Sequence, residues 1–91
     1  MTTPAVTVYT GSFCGYCTRA LALLERRGIA HTEINVEDHP GLREELLAKS
    51  GQRTLPQIFV GERYIGGADE LAAMDRSGEL LKLIQARNDD G

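Results

Sequence analysis

Alternation opens the chain: Ala5-Val6-Thr7-Val8-Tyr9 sends apolar and polar side chains to opposite faces, and Thr10-Gly11-Ser12 breaks the pattern. A first strand is predicted there. From Cys14 the spacing turns helical, with Cys17, Ala20, Leu21 and Leu24 on one stripe, Arg19, Glu25, Arg26 and Arg27 carrying charge, and Gly28 as a stop. Thr32 to Val36 alternates again, with Ile34 and Val36 on one face. Pro40 suits a first helical turn, and Leu42, Leu46 and Leu47 form an apolar stripe that ends at Gly51. After Pro56, the runs Gln57-Ile58-Phe59-Val60 and Arg63-Tyr64-Ile65 flank Gly61-Glu62, a two-residue loop with glycine first, as a type II′ hairpin requires. Gly66-Gly67 then turns into a helix holding Leu71 and Met74, and Gly78 interrupts it. A last short helix follows from Glu79 to Arg87 on Leu80, Leu83 and Ile84, leaving Asn88–Gly91 as a frayed tail. Phe59 and Met74 fall on the apolar stripes of their elements and are expected in the core.

The order β-α-β-α-β-β-α-α implies an α/β fold: a four-stranded mixed sheet, parallel across the first crossover and antiparallel at the hairpin, with helices on both faces. Ninety-one residues make one domain, 1–91, without a second core. Hydrophobic residues at 42% and charged residues at 25% match a folded globular chain. Ten Lys+Arg against 13 Asp+Glu leave a net charge of −3, the wrong sign for binding a phosphate backbone, so no nucleic-acid partner is expected. No apolar run is long enough for a membrane span, and Met1–Pro4 lacks the basic start of a secretory signal, so a cytoplasmic location is expected.

That compartment bears on Cys14 and Cys17, the only two cysteines. Close-set thiols in a reducing environment point to catalysis or metal binding more than to structure. Residues three apart on a helix share a face, so the sulfurs of Cys14-Gly15-Tyr16-Cys17 can close a small ring. Free N–H groups and the positive dipole end of the first turn favour a thiolate, most of all on Cys14, whose thiol should ionise below the free value of about 8.5. Cys14 is the expected nucleophile and Cys17, one turn in and better covered, the resolving thiol. A structural disulfide would close too small a loop to constrain the unfolded chain much. A zinc site needs two more ligands, and the only histidines, His31 and His39, lie beyond the first helix and read as solvent-facing turn residues.

Two further features accompany the pair. Pro56 opens a strand, where an X-Pro bond suits a cis peptide that would aim the Leu55 backbone at an extended peptide, or equally an ordinary trans bond. Gly66-Gly67-Ala68-Asp69 is a glycine turn into a helix N-terminus, which can seat a carboxylate.

A helix-opening CxxC, a Thr-Leu-Pro before a hairpin and a Gly-Gly-x-Asp entering the next helix together resemble glutaredoxins, dithiol and of the bacterial type, over about Val6 to Leu81. The resemblance implies a thioredoxin-like fold, a cis proline and glutathione lying across the site as co-substrate. By the same implication, Cys14 takes the glutathione sulfur and Tyr16 flanks it. Thr54 and Leu55 pair their backbone with the cysteinyl unit, and Pro56 holds that geometry. Gly67, Ala68 and Asp69 receive the γ-glutamyl end, and Arg43 stands near the glycyl carboxylate. The implied activity is glutathione-dependent reduction of protein–glutathione mixed disulfides and protein disulfides by a monomer.

Departures from the family pattern sit at two positions. Gly11 replaces a common lysine three residues before the first cysteine, removing a cation that would favour both thiolate and glutathione. Gly15 replaces a common proline and loosens the turn. Glutaredoxins with a small residue there are the ones more prone to share a [2Fe–2S] cluster, in a dimer whose ligands would include Cys14; cluster binding or transfer is therefore an alternative. A redoxin served by thioredoxin reductase is the other, disfavoured by the absence of a Trp before Cys14.

Overall fold

In the computed structural model, which describes residues 5–89, the opening alternation forms strand β1 (Val6–Thr10), with Val6, Val8 and Thr10 buried on one face. Strand β2 (Thr32–Asn35) pairs with β1 in parallel, and strand β3 (Gln57–Val60) pairs with its other side antiparallel. Strand β4 (Arg63–Gly66) returns antiparallel to β3, giving the order β2-β1-β3-β4. Val60 pairs with Arg63 across Gly61-Glu62. Gly61 has φ +62, as the first position of a type II′ turn demands. All four residues of β3 are buried, as befits a central strand covered on both faces.

Helices α1 (Gly15–Arg26), α3 (Ala68–Ser77) and α4 (Glu79–Asp89) cover one face. There Ala20, Leu23, Leu24, Leu71 and Leu80 pack on Val6, Val8, Ile58 and Val60. Helix α2 (Leu42–Ser50) covers the other face, where Leu46, Phe59 and Val36 form a smaller cluster flanked by Tyr9 and Tyr64. Tyr9 meets Phe59 edge-on at 5.6 Å between ring centroids. The arrangement is the four-stranded mixed sheet with helices on both faces that the element order implies. No helix among the described residues is long and apolar enough to cross a membrane.

Several boundaries differ from the sequence pattern for local reasons. Val36 is not strand: the Asn35 side chain accepts the Glu37 N–H at 2.9 Å, ending β2 and opening a 3-10 turn over Val36–Asp38. Pro40 lies ahead of α2, because Gly41 takes φ +86, a left-handed conformation no helix interior accepts. On α1 the buried leucines are Leu23 and Leu24, with Leu21 only partly covered, because the helix packs on α3 as well as on the sheet and buries a wider arc. Met74 is half-buried at the edge of the core. His31 is also half-buried, its Nδ1 lying 2.8 Å from the Ile29 carbonyl, while His39 is exposed. Helix α4 runs through Asn88 and Asp89, since backbone hydrogen bonding needs no apolar stripe to continue; Asp90 and Gly91 lie outside the described residues.

Leu24 has no exposed surface and sits where α1 meets the sheet. Leu24→Ala is expected to cost about 2–5 kcal/mol in urea unfolding, the range for a deleted core leucine. An unchanged midpoint would remove Leu24 from the core.

Candidate active site at the start of helix α1

Helix α1 begins where β1 has just ended, so its first turn sits at the end of the sheet. Cys14 is the residue that caps it, in extended conformation, and its Sγ accepts the Cys17 N–H at 3.2 Å. A sulfur thus replaces the usual capping oxygen, satisfying one of the orphan donors of the first turn. Once the bond to Cys17 is reduced, that N–H and the helix dipole would favour a negative charge on Cys14. Cys14 is partly exposed, whereas Cys17 is 3% exposed. The two are joined as a disulfide with Cα atoms 5.2 Å apart.

Two tethers hold the approach to Cys14. The Glu37 carboxylate accepts the Ser12 N–H at 3.1 Å and the Ser12 hydroxyl at 2.9 Å, clasping the loop to the 3-10 turn. These bonds, the backbone one first, hold the Glu37 carboxyl below its usual 4.5, and the Arg43 guanidinium pulls the same way. Between Ser12 and Cys14, Phe13 adopts φ +56 with its ring fully exposed. A left-handed backbone is unfavourable for a bulky residue, yet it turns the chain sharply into the helix.

Facing Cys14 is the segment before β3. The Leu55–Pro56 bond is cis, settling the choice the residues left open, and the Leu55 carbonyl oxygen lies 3.9 Å from Cys14 Sγ. Gln57, 1% exposed, anchors this segment: its Nε2 donates to the carbonyls of Gln52 (2.8 Å) and Thr54 (3.2 Å). Its Oε1 has no partner.

A groove of about 560 Å³ runs from there to α3, lined by Tyr16, Thr54, Leu55, Pro56, Gly67, Ala68 and Asp69, together with Gln52, Tyr64 and Glu70. Seven of the residues singled out in the sequence therefore share one cleft. Cys14, Cys17 and Arg43 are not among its lining residues; Arg43 borders an adjoining hollow of about 160 Å³ with Arg53, Gln52, Leu55 and Gln57. At the α3 end, the Gly67 N–H is already taken by the Glu70 carboxylate at 2.7 Å, so a carboxylate seated there is left with the later first-turn amides. A Cβ on Gly67 would come within 3.3 Å of the Pro56 carbonyl oxygen, which accounts for a glycine at this close approach. Burial first, then the Glu70 charge, raises the Tyr64 phenol above its usual 10, so the groove meets a neutral hydroxyl. Among the described residues, no group of three or more His, Cys, Asp or Glu is gathered to hold a metal.

Sequence reasoning missed Glu37, Gln57 and Tyr64, whose roles depend on contacts between distant segments. Phe13 did carry a signal, an apolar residue inside a turn next to a cysteine. The missing cation at Gly11 also has a structural side: a Cβ there would lie 2.9 Å from Leu55 Cδ1 and 3.9 Å from Glu37 Oε2. A lysine at this position would displace the Leu55 side chain and face a carboxylate already beside it.

Because its folded-state pKa is depressed, Glu37 contributes its tether fully above the usual 4.5 and loses it as pH falls through the lowered value. The Ser12 amide resonance is expected to titrate with a midpoint below 4.5, and Glu37→Gln to abolish that titration. A midpoint at or above 4.5 would show that the carboxylate does not hold the loop.

Comparison with known proteins agrees with this geometry. The glutaredoxin family model matches residues 6–65. A Pseudomonas aeruginosa glutaredoxin is 46% identical over 83 residues, covering 91% of this chain and 99% of its own. The solution structure of a glutaredoxin from Brucella melitensis superposes with a TM-score of 0.80 at 42% identity, over 92% of this chain and 91% of that one. The crystal structure of a buckwheat glutaredoxin–glutathione complex superposes with a TM-score of 0.83 at 30% identity, over 89% of this chain and 76% of that one. With a thioredoxin-like sheet and a CxxC pair at the helix start, the chain belongs to the glutaredoxin family and is a glutathione-dependent thiol–disulfide oxidoreductase.

Proposed function

We propose that Cys14 is the nucleophile of this exchange, Cys17 its resolving thiol, and the groove beside Pro56 the glutathione site. The supporting observation is the asymmetry of the two sulfurs: Cys14 is partly exposed and receives a helix N–H, while Cys17 is 3% exposed. On a protein–glutathione mixed disulfide, the Cys14 thiolate attacks the glutathione sulfur, the old S–S bond breaks, and the protein leaves as a thiolate that takes up a proton. A second glutathione thiolate then attacks the sulfur held by Cys14, releasing oxidised glutathione and restoring the Cys14 thiolate. On a protein disulfide, Cys14 forms the mixed disulfide with the protein, and Cys17 attacks Cys14 Sγ to free the reduced protein. The resulting Cys14–Cys17 disulfide is the state this structure holds, and two glutathione molecules reduce it.

In the groove, the cysteinyl unit of glutathione pairs with the backbone of Thr54 and Leu55, beside Tyr16, in the geometry set by Pro56. Its γ-glutamyl end lies along Gly67, Ala68 and Asp69, with Asp69 facing the ammonium group and the first-turn amides after Gly67 facing the carboxylate. Arg43 reaches the glycyl carboxylate from the adjoining hollow, and its charge also acts on Glu37. Substrates are glutathionylated proteins and protein disulfides, met by a cytoplasmic monomer. A [2Fe–2S] cluster would need two copies of the chain: Cys17 is covered, so each copy offers Cys14 alone, with glutathione sulfurs completing the set. The exchange reaction needs one copy, and an anaerobic absorbance spectrum of the expressed protein distinguishes the two.

Cys14→Ser is expected to reduce turnover of a glutathionylated peptide to the uncatalysed rate, while Cys17→Ser keeps it close to wild type or above. On a protein disulfide, Cys17→Ser should slow turnover, because the mixed disulfide must wait for glutathione. Equal losses for both variants on the glutathionylated peptide would sink the assignment of the two thiols.

A further inference from the structure

A second groove, about 370 Å³, lies between α1 and α3, lined on α1 from Arg19 to Arg26. It is lined by Ala22, Leu23, Ala68 and Ala72 and by three arginines, Arg19, Arg26 and Arg76. Asp69 is the one acidic residue lining it, at the end shared with the glutathione groove. Three cations to one anion is the reverse of the chain as a whole, which carries 10 Lys+Arg and 13 Asp+Glu.

Among the described side chains, none of these three arginines is in an ion pair. Among the described residues the one ion pair is Arg27 with Asp75, at 2.8 and 2.9 Å through both carboxylate oxygens. That pair engages the nearby Asp75 carboxylate, whose field Arg26 and Arg76 share without bonding it. Arg19 lies over the Tyr16 ring, 5.8 Å from its centroid, and links the basic groove to the reactive turn. Arg19 and Arg26 are seven residues apart, two turns along one helix face.

We propose that this groove docks the acidic flank of a protein substrate while the substrate's sulfur meets Cys14. The inference rests on Cys14 being the nucleophile. It commits to one occupant, an extended polypeptide with carboxylates near its reactive cysteine, because the groove runs between two helices and its lining carries three arginines to one aspartate. Helix rise sets the register: Arg19 and Arg26 stand roughly 7 and 18 Å from Cys14 along α1. An extended chain spans about 3.3 Å per residue with alternate side chains on one face, which puts the matching carboxylates about two and six residues from the substrate cysteine. The competing role for Arg26 and Arg76 is to stabilise the C-terminal turns of their helices, where each occupies the last turn.

The test uses two synthetic peptides, each with one glutathionylated cysteine, one carrying Glu and the other Lys at two and six residues on either side. Wild type is expected to turn over the Glu peptide with kcat/KM about three- to tenfold above the Lys peptide at low salt, as two exposed charge pairs allow. The preference should vanish at molar salt. Arg26→Glu with Arg76→Glu should invert the preference; the milder Arg26→Gln with Arg76→Gln, retained in case reversal impairs folding, should reduce it to what Arg19 alone supports. Both variants should keep wild-type rates on an uncharged glutathionylated peptide. A helix-stabilising role would lower thermal stability without changing the ratio between peptides. Equal turnover of both peptides by wild type, or equal losses on both in either double variant, would overturn the docking site. Loss on the uncharged peptide in Cys14→Ser checks the nucleophile separately.

Discussion

The antiparallel register of β1 on β3 is the constraint from which the site follows. Val6 pairs with Val60 and Tyr9 with Gln57, so the end of β1 lies beside the start of β3. The chain leaving β1 toward Cys14 and the chain entering β3 through Leu55-Pro56 therefore emerge side by side, and Cys14 Sγ comes to 3.9 Å from the Leu55 carbonyl. A slip of one residue would turn Ile58 and Val60 out of the larger core and move Leu55 away from the sulfur. Burial of those side chains thus fixes the chemistry at the sheet's end, though none of them touches it.

Polar tethers refine what the register sets. Thr10, buried at the end of β1, donates to Glu33 on β2 at 3.0 Å, and two residues on Ser12 is held by Glu37. The chain leading to Cys14 is thereby fastened twice to the β2 side of the sheet, once at the end of β1 and once in the loop. On the opposing wall, Gln57 reaches back from the core to two loop carbonyls. Hydrogen bonds at exposed sites contribute little to global stability, but they narrow the positions two facing loops can adopt. Cys14 and its facing backbone are positioned by the strands and by side chains on the strands and the 3-10 turn, with α1 supplying the electrostatics.

What the sequence disclosed, it disclosed through local pattern. Alternation marked β1, the Gly61-Glu62 turn marked the hairpin, and the Cys14–Cys17 spacing at a strand-to-helix break marked the reactive turn. Errors arose where side chains or glycines overrode the pattern over one or two residues: Asn35 ended β2 before Val36, and Gly41 delayed α2 past Pro40. Arg43 was placed by its position in a motif, and only the fold shows a separate hollow between it and the main groove. Glu37 could not be found at all, since 25 residues separate it from Ser12 and a glutamate in a polar turn looks like any solvated charge. The occupied amide at Gly67 was equally hidden, because Glu70 at the third helical position could as well have pointed to water.

The Gln57 amide also sets how long one loop can be. Its two bonds go to carbonyls of Gln52 and Thr54, two residues apart, from a side chain that is itself immobilised in the central strand. An inserted residue between those carbonyls would break at least one bond and leave the buried amide with a second unmet polar group beside its unpartnered Oε1. Surface loops ordinarily absorb insertions with little loss. This one, though its residues are exposed, is sized from inside the protein, so variation in chain length has to be accommodated elsewhere on the surface.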